Sequence, residues 1–384
     1  MALRRDSQAR TSLPDGPAIP IAAPDLTDLE SRYVNEAIAS GWISARGPFV
    51  AKFEKAFATF SGAAHGIACS SGTTALHLAL TALDLGPGDE IVVPAFTMIG
   101  TVNPVLYLRA TPVVADADPD TWNVTADTVR AALSPHTKAV IVTHVFGLPA
   151  DVGSIQAVAP GRPVIEDAAE ATGARCRGRR AGSLGAASAF SLFANNIVTT
   201  GEGGMVLTSD DKLAARCRRL RDHGFSSDWA RYVHDEIGFS YRMSNLQAAL
   251  GLAQAERAEE LAARSRAVGL RYLEGLRDVP GLRPQLVPDW GEHVYWVFGI
   301  LVEEGYGRSR DELREELRRR GIGTRTFFHP LHKQPALRGR FRRAEAPVAE
   351  RLASRGLYLP SGPGRTDAEI DEVIGAVREL AVRR

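Results

Sequence analysis

Short apolar runs alternate with stretches of helical period along most of this chain. Ile91-Val-Val-Pro, Pro112-Val-Val-Ala-Asp, Ala139-Val-Ile-Val-Thr-His-Val-Phe-Gly, Val164-Ile-Glu-Asp and Phe190-Ser-Leu-Phe read as short strands with Gly, Pro or polar residues nearby. A Gly-rich reversal, Gly201-Glu-Gly-Gly204, leads into one more strand, Met205-Val-Leu-Thr. Between them, Ser70-Ser-Gly-Thr-Thr reads as a turn opening a helix that runs to Leu80, and Thr125–Leu133 reads as a second helix. Strands and helices in this rhythm predict an α/β fold, a mostly parallel central sheet with helices on both faces.

The ends of the chain read differently. Residues 1–18 are polar, with Pro14 and Gly16, and predict a flexible tail. From Asp25 to about Ser40, Leu26, Leu29, Val34 and Ile38 recur at helical spacing and stop at Gly41. Ser244 to about Leu276 reads as one long helix or two abutting ones. Beyond it come a strand (Val294–Val302), a helix (Ser309–Arg320) and a final helix from Asp367. The predicted organisation is a large cofactor-type domain over 19–250 and a small C-terminal α/β domain over 251–384 that includes the connecting helix.

Composition narrows the function classes. A chain of 384 residues with net charge +1 gives no electrostatic reason to expect nucleic acid as a partner. Cys69, Cys176 and Cys217 are odd in number and widely spaced, which predicts reduced thiols, with no disulfide framework and no metal site. No apolar run reaches the roughly 20 residues of a membrane span, and the first residues lack a signal-peptide core, so the expected location is cytoplasmic.

Candidate chemistry gathers where the strands end. In open sheets of this kind, ligands sit beyond the carboxyl ends of the strands, where His144, Asp167, Glu170 and Asn196 fall. Gly72 and Thr73 open a helix, so their backbone amides form a ready anion site, although capping alone accounts for such residues. Taken in order, Gly41-Trp-Ile-Ser, Gly88-Asp-Glu, Glu166-Asp-Ala-Ala, Gly201-Glu-Gly-Gly and Tyr241-Arg-Met-Ser-Asn-Leu-Gln resemble the DegT/DnrJ/EryC1/StrS family. Its members are sugar aminotransferases that use pyridoxal phosphate (PLP).

That resemblance implies a type I PLP-dependent aminotransferase fold and a homodimer with small-molecule sites at the subunit interface. It implies that Asp167 pairs with the pyridine nitrogen and that Gly72, Thr73 and Ser191 contact the cofactor phosphate. In the family, a Lys five positions after that Ser forms the Schiff base with the cofactor; here the position is Asn196, which is neither basic nor nucleophilic. The only lysines are Lys52, Lys55, Lys138, Lys212 and Lys333, so no register slip supplies another. Further positions depart from the family pattern. Met98 replaces the aromatic residue that stacks on the ring, and Glu170 replaces the Gln or His that meets the phenolic oxygen. Ser240 replaces an Asn that reaches the partner's phosphate, and Leu148 replaces a polar residue. Several changes around one pocket point to natural divergence rather than a single engineered trap.

Three functions follow. The first is a diverged enzyme of deoxysugar or secondary-metabolite biosynthesis, running elimination, cyclisation or isomerisation in the old cleft. It is no ordinary transaminase; Glu170 and Asp167 act as acid and base, His144 is a further candidate, and PLP or its amine form PMP is bound non-covalently or not at all. The second is a PLP/PMP-dependent aminotransferase of nucleotide-linked keto-sugars carrying Asn in place of Lys at 196. The third is a non-catalytic dimer partner or ligand sensor. His329 and His332 fit hydrogen bonding between domains as well as base catalysis.

Overall fold

The computed structural model describes residues 17–226, 232–342 and 344–382. The predicted tail therefore falls, up to residue 16, outside the described residues. The first strands are β1 (His65–Cys69), β2 (Glu90–Pro94), β3 (Thr111–Ala115), β4 (Thr137–Thr143) and β5 (Val164–Asp167). A small ribbon, β6 (Arg175–Cys176) and β7 (Arg179–Arg180), separates them from β8 (Ala187–Ser191) and β9 (Gly204–Thr208).

Seven of these form one sheet in the order β1-β9-β8-β5-β4-β2-β3. The run from β8 to β3 is parallel, and β9 pairs antiparallel with both β1 and β8. Alternation along each strand serves two core layers. Ile91, Val93, Ala139 and Ile141 pack with the Gly72–Ala82 helix, while Val92, Val140 and Val142 face the other side with the Ala126–Ala132 and Val152–Val158 helices. Burial on both faces is why the strands read as nearly continuous apolar runs.

The predicted long helix is two, Asn245–Glu256 and Ala258–Leu276, meeting at Arg257. The second helix joins Arg310–Arg319 and Asp367–Leu380 around a separate core that includes Tyr272, Leu313, Leu317 and Val373. That core backs an antiparallel sheet of order β10-β12-β14-β13, with β10 (Leu282–Pro284), β11 (Gly291–Glu292, pairing with β6), β12 (Phe298–Val302), β13 (Arg325–Thr326) and β14 (Gly356–Leu359). Ile19 also packs there and bridges to Ile322, so the chain's start is tied to its C-terminal unit.

Two expectations change. The predicted strand Val294–Val302 is a strand only from Phe298, because Tyr295 takes a left-handed φ of 51° and Val294 N–H donates to the Gly147 carbonyl. The N-terminal helix is Asp28–Ala39, so Leu26 falls before it and is exposed; on the helix itself Ile38 is exposed while Glu30 is buried. Glu30 caps Thr27 and also accepts from Gln254 and Arg257, and these partners stabilise its burial. The three cysteines are free and buried.

Candidate functional site

The cleft forms at the carboxyl ends of β5 and β8. Asp167 closes β5 and lies in register with Ala189, which places Ser191 two residues farther along the neighbouring strand. The Gly72–Ala82 helix starts against that strand end. Ser71 caps it: its Oγ accepts from Thr74 N at 3.1 Å, and Thr74 Oγ1 accepts from Ser71 N at 2.9 Å. This box satisfies Ser71 and Thr74 and leaves the amides of Gly72 and Thr73 for a ligand at the positive end of the helix. A Cβ at Gly72 would stand 2.9 Å from Ser191 Cβ, so only glycine lets the helix end and the strand end meet.

Asp167 lies on the floor. Thr101 Oγ1 donates to its Oδ2 at 2.6 Å and Ala169 N to its Oδ1 at 3.2 Å. Burial nevertheless raises its pKa, outweighing those two hydrogen bonds. Among the described residues no Lys or Arg pairs with this carboxylate, which leaves it ready for a cationic ring. Met98 is 52% exposed, and its Sδ accepts from Gly100 N. A Cβ at Gly100 would meet both Met98 Sδ and Thr73 Oγ1 at 3.1 Å, so Met98 and the helix end converge.

Glu170 is 6% exposed. Its Oε2 accepts from Phe146 N at 2.6 Å, and its Oε1 has no partner among the described residues. Burial pushes its pKa up to about 8, the nearby Asp167 charge adds to the rise, and the Phe146 amide opposes it. Near neutral pH, Glu170 is therefore largely the neutral acid.

His144 sits fully buried behind this floor, with both ring nitrogens engaged. Ala150 N donates to Nδ1 at 3.1 Å, so Nε2 carries the proton and donates to Glu166 Oε2 at 2.8 Å. Glu166 also accepts the amides of Gly182, Leu184 and Gly185. Ser240 is exposed, with Arg242 Nη2 donating to its Oγ at 3.0 Å, while the next residue, Tyr241, accepts from Ser70 N through its carbonyl. His329 bonds the Lys333 carbonyl, and His332 pairs with Glu350.

Asn196 is 6% exposed and closes the turn after β8. Its Nδ2 donates to Ser191 O at 2.8 Å, and its backbone N–H donates to Phe193 O at 3.0 Å. From the C-terminal unit, Trp296 Nε1 donates to Asn195 O at 2.8 Å. All five lysines are exposed, so none reaches the floor. Sequence reasoning missed Thr101 and Trp296: Thr101 lies three residues after Met98, whereas nothing local marks Trp296, 101 residues from its acceptor. Among the described residues no cluster of ligands suits a metal, and no helix is long and apolar enough to cross a membrane.

Residues 24–378 match the model of the DegT/DnrJ/EryC1/StrS aminotransferase family. The chain is 45% identical over 371 residues to the GDP-perosamine synthase of Caulobacter vibrioides, covering 96% of this chain and 100% of that protein. It is 38% identical to the GDP-perosamine synthase of Escherichia coli O157:H7, covering 94% and 98%. Among solved structures, the aminotransferase TlmJ from Streptoalloteichus hindustanus superposes with a TM-score of 0.88 at 34% identity, covering 94% of this chain and 98% of that one. Spr1654 of Streptococcus pneumoniae, named as a sugar aminotransferase and solved in PMP- and PLP-forms, gives 0.88 at 26% identity, covering 94% of this chain in both forms and 97% and 98% of those chains.

Proposed function

The chain belongs to the DegT/DnrJ/EryC1/StrS aminotransferase family, and from that premise we propose that it transfers an amino group to a keto-sugar carried on a nucleotide, with PLP or PMP held non-covalently. The names of the relatives favour amine transfer over the non-transaminase chemistry expected from the missing lysine. The observation that carries the reading is the cleft floor itself: a carboxylate without a cationic partner, one strand away from a helix end open to an anion.

These residues fit the cofactor. Asp167 would pair with the protonated ring nitrogen, and the Gly72 and Thr73 amides with Ser191 would take the phosphate. Met98 would cover one ring face, a softer contact than an aromatic side chain gives. Glu170, being neutral, would not repel the phenolic oxygen. When bound, the cofactor supplies an electron sink and a carrier for the amine. Asn196 at the anchor position leaves that carrier free to exchange with solution. Ser240, on an exposed segment, is proposed to face the second chain of a homodimer.

Moving a proton at the reacting carbons then falls to a group other than lysine. Glu170 is the candidate, since its proton is held near neutral pH and its Oε1 is unengaged, whereas both nitrogens of His144 are committed. The same observation favours a second reading, elimination at the sugar with Glu170 and Asp167 as acid and base.

The deciding experiment restores the lysine. Asn196→Lys, loaded with PLP and given an amino acid donor, is expected to convert the cofactor to its amine form, read by absorbance. A folded variant that binds PLP and gives no conversion would sink the amine-transfer reading and leave elimination. No saturable binding of PLP or PMP by the unaltered chain would remove the cofactor from both readings.

A further inference from the structure

The side chain of Asn196 has two different ends, and the structure fixes which end is which. Ser191 O is a backbone carbonyl and can only accept, so the atom 2.8 Å from it must be the amide nitrogen. The amide oxygen is then directed away from Ser191. Oδ1 has no partner among the described residues and is not itself sealed from solvent, although the residue as a whole is buried. Three hydrogen bonds hold this arrangement: Nδ2 to Ser191 O, the Asn196 amide to Phe193 O, and Trp296 Nε1 to Asn195 O. Rotating the amide to present Nδ2 instead would break the bond to Ser191 and set two carbonyl oxygens against each other. The turn thus leaves this acceptor open, with no competing donor among the described residues.

An acceptor discriminates between the two forms of the cofactor. The amine form carries N–H donors at its reactive carbon; the aldehyde form carries only an oxygen, another acceptor. Resting on the proposed cofactor site, we infer that Asn196 is a specificity-determining residue that makes this cleft prefer PMP to PLP, its Oδ1 accepting from the cofactor amine. A hydrogen bond to a charged donor favours one form by about tenfold to ~100-fold, and the aldehyde, facing an acceptor, loses further affinity. The chain is thereby suited to take up the amine form ready-made, and an independent amine-donor reaction must regenerate it. In balanced terms the cofactor's CH2–NH2 would become CH=O as the sugar's C=O becomes CH–NH2, a proton leaving the one carbon and another arriving at the other while the electron pair passes between them, so no outside oxidant or reductant is consumed.

The test is calorimetric titration of the full-length chain with PMP and, separately, with PLP. PMP is expected to bind at least about tenfold more tightly. Asn196→Ala, which removes the acceptor, is expected to bring the two affinities within about twofold, chiefly by weakening PMP. Equal affinities in the unaltered chain, tighter PLP, or a preference that survives in Asn196→Ala would each overturn the inference while leaving the cofactor site standing. If Asn196→Ala does not fold, the ratio in the unaltered chain decides alone. If neither cofactor form binds, the proposed function fails first, and the inference with it.

Discussion

Glu170 shows how a single side chain changes character with its surroundings. A free glutamate loses its proton near pH 4.3. Glu170 keeps its proton up to about pH 8, because burial and the Asp167 charge disfavour its ionised form. Between those limits the folded chain binds a proton that the unfolded chain has released. Folding stability therefore falls as pH rises through this window, by up to ~1.4 kcal/mol per pH unit, and levels off above about pH 8. Glu170→Gln keeps an acceptor for the Phe146 amide and has no proton to lose. Its melting temperature is expected to rise relative to the unaltered chain progressively from about pH 5 to about pH 8, by a few degrees in all, with no further gain above. A difference that stays flat across that window would mean Glu170 ionises in the ordinary range. At this scale the sequence was readable in part. Asp167 and Glu170 stand out because one closes a strand and the other follows three residues later on its exit. The engagement of His144 does not show in the sequence, since its partners lie 22 and 6 residues away and on different elements.

At the scale of elements, the site is a meeting of ends: a strand's last residues against a helix's first. The helix start was legible, because Ser71 and Thr74 form a capping box and glycine follows the cap. That Gly72 touches Ser191 was not, since the contact spans more than a hundred residues and depends on β9 inserting beside β8. Gly72→Val places branched carbon where only 2.9 Å separates the new Cβ from Ser191 Cβ and 3.1 Å from its Cα. Neither neighbour is the end of a flexible chain, so the strand end must move. The variant is expected to lose about 1–3 kcal/mol of stability, read by denaturant unfolding, and to lose PMP binding in titration. Retained PMP affinity would show that the phosphate is held elsewhere. Elements without such a junction follow periodicity alone less faithfully. Ile38 is exposed on a helix whose apolar residues recur at helical spacing, and Leu26 is exposed just before it, while Glu30 faces inward on Gln254 and Arg257.

At the scale of the whole molecule, those outward apolar residues bear on assembly. Leu26, Ile38, Trp42 and Ile43 are all exposed along one N-terminal stretch, where a protein that worked alone would be expected to carry polar side chains. Ser240, resembling the family position that reaches a partner's phosphate, is exposed and joined to Arg242. We propose a two-chain site that would account for both: the second copy would cover the apolar stretch, and Ser240 of one chain would complete the phosphate cradle of the other. The proposal predicts complementation. Asp167→Ala removes the ring partner, and Ser240→Asp places a negative charge against the phosphate, so each homodimer is expected to bind PMP poorly. Mixed dimers, formed by co-expression with different affinity tags, contain one site with both changes and one with neither. They are expected to bind one PMP per dimer with the affinity of the unaltered protein, measured by titration after two-tag purification. If light scattering shows dimers and the mixed species binds no better than either parent, each site is built from a single chain, and Ser240 has no part in it.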